Sequence, residues 1–232
     1  MMVVCYSRTL EIPKPDFGSV KEEVEFMNYS LISCALLGLA SLQARADLTV
    51  TTESTPAAPP SAEGHFSKGT WSVAALLIGA LDIRGKTDRP AHDLGLASIQ
   101  AGYNFTGLQG ESTWYYGYWQ IAGEVFGGAQ FSPRRYVVGA LPVLSYNFVV
   151  NDNWVPYIEG GAGVAFTDIG HPDLSTTFQF TEQGGVGFRY HLDANTWLRV
   201  GSRVLHISNG GIKEPNTGVT TANVILGLEW FY

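Results

Sequence analysis

From residue 68 onward the chain alternates. Apolar and polar side chains trade places every second residue over stretches of ten to fifteen residues, and clusters of Gly, Asn, Asp and Pro separate the stretches. A period of two is the mark of a β-strand with two unlike faces. The pattern predicts strands near 70–80, 94–105, 114–128, 136–149, 154–166, 178–191, 196–208 and 220–232. The connections alternate too. Asn151-Asp152-Asn153 and Asp193-Ala194-Asn195 are tight turns, whereas Asp82–Asp93, Asp168–Thr177 and Asn209–Val219 are long. Eight strands joined by alternating short turns and long loops form the pattern of an outer-membrane barrel.

The faces decide between a soluble and a membrane barrel. In the seventh segment Leu198, Val200, Val204, His206 and Ser208 share one side, and Arg199, Arg203 and Leu205 share the other. In the eighth, Val224, Leu226, Leu228, Trp230 and Tyr232 oppose Asn223 and Glu229. The polar face therefore collects Glu124, Glu159, Arg189, Arg199, Arg203 and Glu229. An Arg facing lipid at mid-membrane costs ~2–4 kcal/mol, so these charges belong inside and the apolar face belongs against lipid. The expected fold is all-β: an eight-stranded antiparallel transmembrane β-barrel with a polar, filled interior. A barrel of eight strands has its lumen filled by side chains, which argues against an open porin channel. The last residues, Leu226-x-Leu228-x-Trp230-x-Tyr232, resemble the C-terminal signal of bacterial outer-membrane proteins.

Composition supports this picture. The 232 residues include 27 Gly and 12% aromatics, but only 15% are charged, and the net charge is −7. A disordered chain carries more charge, and a nucleic-acid binder is normally basic. The first 46 residues read as a leader. Met27 reads as the true start, Leu31–Leu42 is an apolar stretch, and Ala44-Arg45-Ala46 is a cleavage pattern. Cleavage after Ala46 removes both cysteines, Cys5 and Cys34. Residues 47–67, with Pro56 and Pro59-Pro60, read as a flexible periplasmic linker, and 68–232 as the barrel.

The chemically suggestive stretch is Leu205 to Gly218. His206 and Ser208 are two apart on a strand and so share a face, the one turned to lipid. An imidazole beside a hydroxyl is what general-base activation of Ser requires. Asn209 and the amides of Gly210 and Gly211 are candidate oxyanion donors. His65, His92, His171 and His191 fall on separate segments, so no metal site and no cofactor is expected. Thr113–Trp119 reads as an aromatic interface girdle, and Arg134-Arg135 as solvated loop cations, with binding of lipid A phosphates as the alternative.

His206-x-Ser208-Asn209-x-Gly211, followed by Pro215-Asn216-x-Gly218, resembles the signature of the lipid A 3-O-deacylase (PagL) family, and Tyr157–Asp168 resembles that family's fifth strand. The resemblance implies an eight-stranded outer-membrane barrel that hydrolyses the ester-linked acyl chain at the 3 position of lipid A. It also implies Ser208 as nucleophile, His206 as base, Asn209 at the oxyanion and Asn216 supporting the loop. The implied partners are lipopolysaccharide and outer-membrane lipids, and homodimerisation stays open. One departure stands out: the family's acid lies two residues after the Gly that matches Gly218, and here that position is Thr220.

Glu182 is an alternative acid. It is the carboxylate on the outer face of the sixth segment, and if Tyr190 pairs with Leu198 it stands opposite His206. Three readings follow: Glu182 acts as the acid, Thr220 acts as a weak acceptor, or the barrel is inactive or only binds lipopolysaccharide. With the linker in the periplasm, strand seven runs outward and ends at the outer leaflet, so the expected substrate is lipid A there.

Overall fold

The computed structural model describes residues 64–83 and 91–232. The leader and most of the expected linker lie outside the described residues. Eight strands follow one another in chain order: β1 (Trp71–Asp82), β2 (Leu94–Asn104), β3 (Gly117–Gln130), β4 (Arg135–Phe148), β5 (Trp154–Thr167), β6 (Phe178–Asp193), β7 (Thr196–Ser208) and β8 (Val219–Phe231). Each pairs antiparallel with the next, and β8 pairs with β1 to close the barrel. Closure leaves no open sheet edge, which a sheet in hydrocarbon requires.

The two faces are as the alternation dictates. Leu77, Ile99, Val125, Ile158, Val186 and Val224 stand exposed on the outer wall. Inside, three guanidinium groups meet three carboxylates. Arg189 Nε lies 2.6 Å from Glu229 Oε2, Arg199 Nη2 lies 2.6 Å from Glu159 Oε2, and Arg203 donates to both oxygens of Glu124 at 2.8 and 2.9 Å. The Tyr157 ring lies between Arg189 and Arg199, 4.8 and 4.7 Å from their guanidinium carbons. Pairing of this quality lets charges stay ionised out of water. It also fills the lumen, so this is a solid barrel, and the site must lie on the wall or at a rim.

The structure corrects two boundaries. Phe66, placed by sequence in the linker, is fully buried at the end of the barrel where the chain enters, among Tyr118, Val155, Trp197 and Phe231. His65 stacks on Phe231 with centroids 5.7 Å apart, and burial pushes its imidazole below the ordinary 6.5. An aromatic residue that finds an apolar cup overrides the polar, Pro-rich composition before it. The second boundary is the start of β3. The aromatic run begins in a turn, where Thr113 Oγ1 donates to the carbonyl of Gly110 at 2.5 Å, and pairing starts only at Gly117. Trp114 is exposed, whereas Tyr118 points into the lumen.

β1, β3, β5 and β7 all end at the far end of the barrel. Between β6 and β7 the register passes through a bulge near the turn, between His191 and Asp193. It then runs Tyr190 opposite Leu198, Glu182 opposite His206 and Phe180 opposite Ser208.

Candidate active site

His206 is the third-last residue of β7, and its neighbours across the sheet are Glu182 on β6 and Thr220 on β8. Alternation turns all three side chains outward, together with Ser208. His206, Ser208 and Thr220 are half-buried and Glu182 is exposed. The imidazole chooses between its flanking neighbours. Its Nδ1 lies 2.8 Å from Thr220 Oγ1. Glu182 makes no hydrogen bond or ion pair with it among the described residues, although the pairing register is the one expected from the turn. Thr220 thus fills the contact that an orienting acid makes, without the charge.

The other edge of the ring is set by Gly218. This residue has φ +74°, and a Cβ there would stand 2.7 Å from His206 Cε1 and 3.2 Å from Nε2. The backbone can therefore close over the imidazole only without a side chain. Because Ile207 pairs with Val219, Gly218 lies one step further on, at the level of Ser208. The Nε2 edge is accordingly turned toward the end of the strand that carries the hydroxyl. A ring that donates through Nδ1 to Thr220 presents a bare Nε2, the form a general base needs.

The loop after Ser208 is knitted by Asn209, which is fully buried. Its backbone N–H donates to Asn216 Oδ1 at 3.1 Å and its Nδ2 donates to the Lys213 carbonyl at 2.7 Å. Its Oδ1 accepts from the Gly211 N–H at 2.9 Å. The structure therefore places Asn209, Gly211 and Asn216 in loop support. The donors of Asn209 and Gly211, expected from sequence to face an oxyanion, are occupied within the loop. The exposed Gly210 N–H carries no such bond among the described residues. This could not be read from the linear order, because an Asn side chain that folds back on its own loop has the same spacing as one that faces outward.

Other sequence-predicted positions fall elsewhere. Arg135 reaches Asp168 at 3.7 Å, with both side chains largely exposed. An apolar concavity of about 720 Å³ lies on the outer wall of β1 to β5, lined by residues such as Leu77, Ile99 and Val138, and it includes none of the site residues. The sequence reading missed His92 as a structural group. Its ring lies between Gln130 Oε1 at 2.7 Å and Asp173 Oδ2 at 2.9 Å, buried under the site-end loops. No local pattern announces a contact across 81 residues of chain.

A family model described as lipid A 3-O-deacylase (PagL) matches residues 97–229, more than half of the chain. The lipid A deacylase PagL of Pseudomonas aeruginosa is 33% identical over 106 residues, covering 44% of this chain and 58% of that relative. The matched part thus spans little more than half of the relative's length. Among solved structures, the outer membrane enzyme PagL aligns with a TM-score of 0.50 and 23% identity, covering 67% of this chain and 97% of that one. Neisserial surface protein A aligns with a TM-score of 0.50 and 16% identity, covering 70% and 99%. These two structural likenesses show the small outer-membrane barrel fold, and the match over residues 97–229 assigns the chain more narrowly: it belongs to the lipid A 3-O-deacylase (PagL) family.

Proposed function

We propose that this protein is a lipid A 3-O-deacylase of the bacterial outer membrane, with Ser208 as nucleophile and His206 as general base, acting in the outer leaflet. The observation that carries the reading is the fixed imidazole. Nδ1 is bonded to Thr220 Oγ1 at 2.8 Å, and the Nε2 edge is turned by Gly218 toward the level of Ser208, on a wall that faces lipid. A lipid-facing nucleophile suits an ester that is itself in the bilayer. With the chain's start on the periplasmic side, the end of β7 lies at the outer leaflet, where lipopolysaccharide resides.

In this mechanism Ser208 Oγ attacks the acyl carbonyl as His206 Nε2 takes the hydroxyl proton. The Gly210 N–H, exposed in the loop that follows Ser208, donates to the oxyanion. Collapse breaks the ester bond, and His206 returns the proton to the departing sugar oxygen. Water, deprotonated by the same imidazole, then attacks the acyl carbonyl, and the imidazolium returns that proton to Ser208 Oγ as the acyl–oxygen bond breaks and the fatty acid leaves. Thr220 holds the ring by accepting from Nδ1–H. Glu182 supplies the negative charge that Thr220 lacks, from the facing ladder position, where paired Cβ atoms are ~4.5–5.5 Å apart.

A second reading has one specific observation in its favour. The group bonded to Nδ1 is uncharged, which suits a barrel that binds lipopolysaccharide without turnover. Mass spectrometry of lipid A from cells making the wild-type protein or Ser208→Ala separates the two. Loss of one ester-linked chain with wild type alone is the expected result. Intact lipid A in both strains, with lipopolysaccharide co-purifying, would establish the binding reading instead.

A further inference from the structure

The loop of residues 209–218 carries Gly218 against the imidazole, yet residues 210–215 are exposed to solvent. Exposed loops of this length are mobile unless something ties them down. The internal bonds of Asn209 give the loop its shape but do not fix it to the barrel. Two ties come from the loop between β5 and β6: Ser175 Oγ donates to the Pro215 carbonyl, and the tie that reaches Thr217 and Gly218 is Asp173. Its Oδ1 accepts from Thr217 Oγ1 at 2.6 Å, and its backbone carbonyl accepts from the Gly218 N–H at 3.3 Å. One bond falls on Gly218, which sets the Nε2 edge of His206, and the other on the residue before it.

Asp173 is itself anchored. It is only 1% exposed, and its Oδ2 meets His92 Nε2 at 2.9 Å. The other nitrogen of His92 meets Gln130 Oε1, whose amide orientation is set by donation from Nε2 to the Ser132 carbonyl at 3.0 Å. Both ring nitrogens thus face side-chain oxygens. Gln130 on β3 holds the ring, the ring holds the carboxylate, and the carboxylate holds the loop.

We infer that Asp173, acting through Thr217 and Gly218, is a positioning residue for the deacylation site. Its buried carboxylate, clamped by His92, holds the β7–β8 loop so that the imidazole of His206 stays aimed at Ser208. The inference rests on the proposed Ser208–His206 chemistry. It adds a dependence that the reacting groups alone do not predict: kcat should respond to a hydroxyl that touches neither of them.

The test uses the full chain, folded in detergent micelles, with purified lipid A as substrate and rates expressed per folded barrel. Thr217 is exposed, so Thr217→Val removes the hydroxyl with little threat to folding. The expected result is a kcat lower by about tenfold to a hundredfold, as for a slightly misplaced reacting group. KM should stay within about twofold, because ground-state binding is untouched. Thr217→Ser should restore kcat, and Asp173→Asn should lower it as Thr217→Val does. Wild-type kcat in Thr217→Val, a change confined to KM, or failure of Thr217→Ser to restore the rate would each overturn the inference. Ser208→Ala runs alongside. Activity surviving in Ser208→Ala would sink the chemistry on which the inference rests, and that result is distinct from any seen at Thr217.

Discussion

Two imidazoles occupy the same end of this barrel and live by opposite rules. His92 is buried beneath the loops, and both of its nitrogens are engaged, by Gln130 and by Asp173. His206 is half-buried on the outer wall, and its bond at Nδ1 leaves the Nε2 edge turned toward Gly218 and the Ser208 level. A ring with both nitrogens engaged has none to offer a substrate, so it serves as a clasp. A ring held at one nitrogen keeps the other for chemistry. Residue type alone does not separate the two; the count of occupied nitrogens does.

The contrast breaks most visibly when each ring is removed. His206→Phe and Ser208→Ala should lower deacylation by at least about a thousandfold, as loss of a nucleophile or base does in serine hydrolases. Both should leave the barrel's resistance to urea unchanged. His92→Phe should do the reverse first. It removes the ring bonded to Asp173 Oδ2, and loss of a buried hydrogen bond to a carboxylate costs about 1.5–3 kcal/mol, measurable as a lower urea midpoint. A stable His92→Phe barrel, or an unstable His206→Phe barrel, would erase the distinction.

Position 220 sharpens it next. Thr220→Glu puts a carboxylate where the family carries its acid and should raise kcat by about ten- to a hundredfold, since a charged orienting group stabilises the imidazolium. Thr220→Val should lower it. A smaller effect is expected at Glu182, which is exposed and therefore screened. Glu182→Gln should cost only a few-fold in kcat, roughly two- to fivefold, and the loss should shrink as salt is added. Equal rates at low salt would remove Glu182 from the mechanism.

The smallest effect belongs to the opposite end. The His65 value is depressed by burial, so the unfolded chain binds the proton more readily than the docked one. Its contribution is complete above the ordinary 6.5 and is lost as pH falls below it. Trp197 fluorescence, which reports the aromatic cup, should show the Phe66 segment loosening as pH falls below the ordinary 6.5. His65→Phe should flatten that dependence.

Most of the barrel could be read from the chain because a single rule, alternation against lipid, governs every strand. β7 ends at Ser208 as expected, and the tight turn after Asp193 carried the register to Glu182 opposite His206. Register, however, names neighbours without choosing between them. His206 has one on each side, and the bond to Thr220 depends on a side-chain rotation that no periodicity encodes. The loop was less legible still. Asn209 turns its amide inward, and the tie to Asp173 spans 44 residues between its hydroxyl and its carboxylate. Phe66 was misplaced for a related reason, since its cup is assembled from β3, β5, β7 and β8.

The ionic packing of the lumen has a last consequence. Three guanidinium–carboxylate pairs close the interior, so neither substrate nor product can pass through the protein. Under the proposed chemistry, encounter is therefore a two-dimensional event. Enzyme and glycolipid find each other by lateral diffusion within one leaflet, and the freed fatty acid departs sideways. Turnover should then scale with the mole fraction of lipid A among its neighbours rather than with its amount per volume, and diluting the leaflet with inert phospholipid becomes an effective brake.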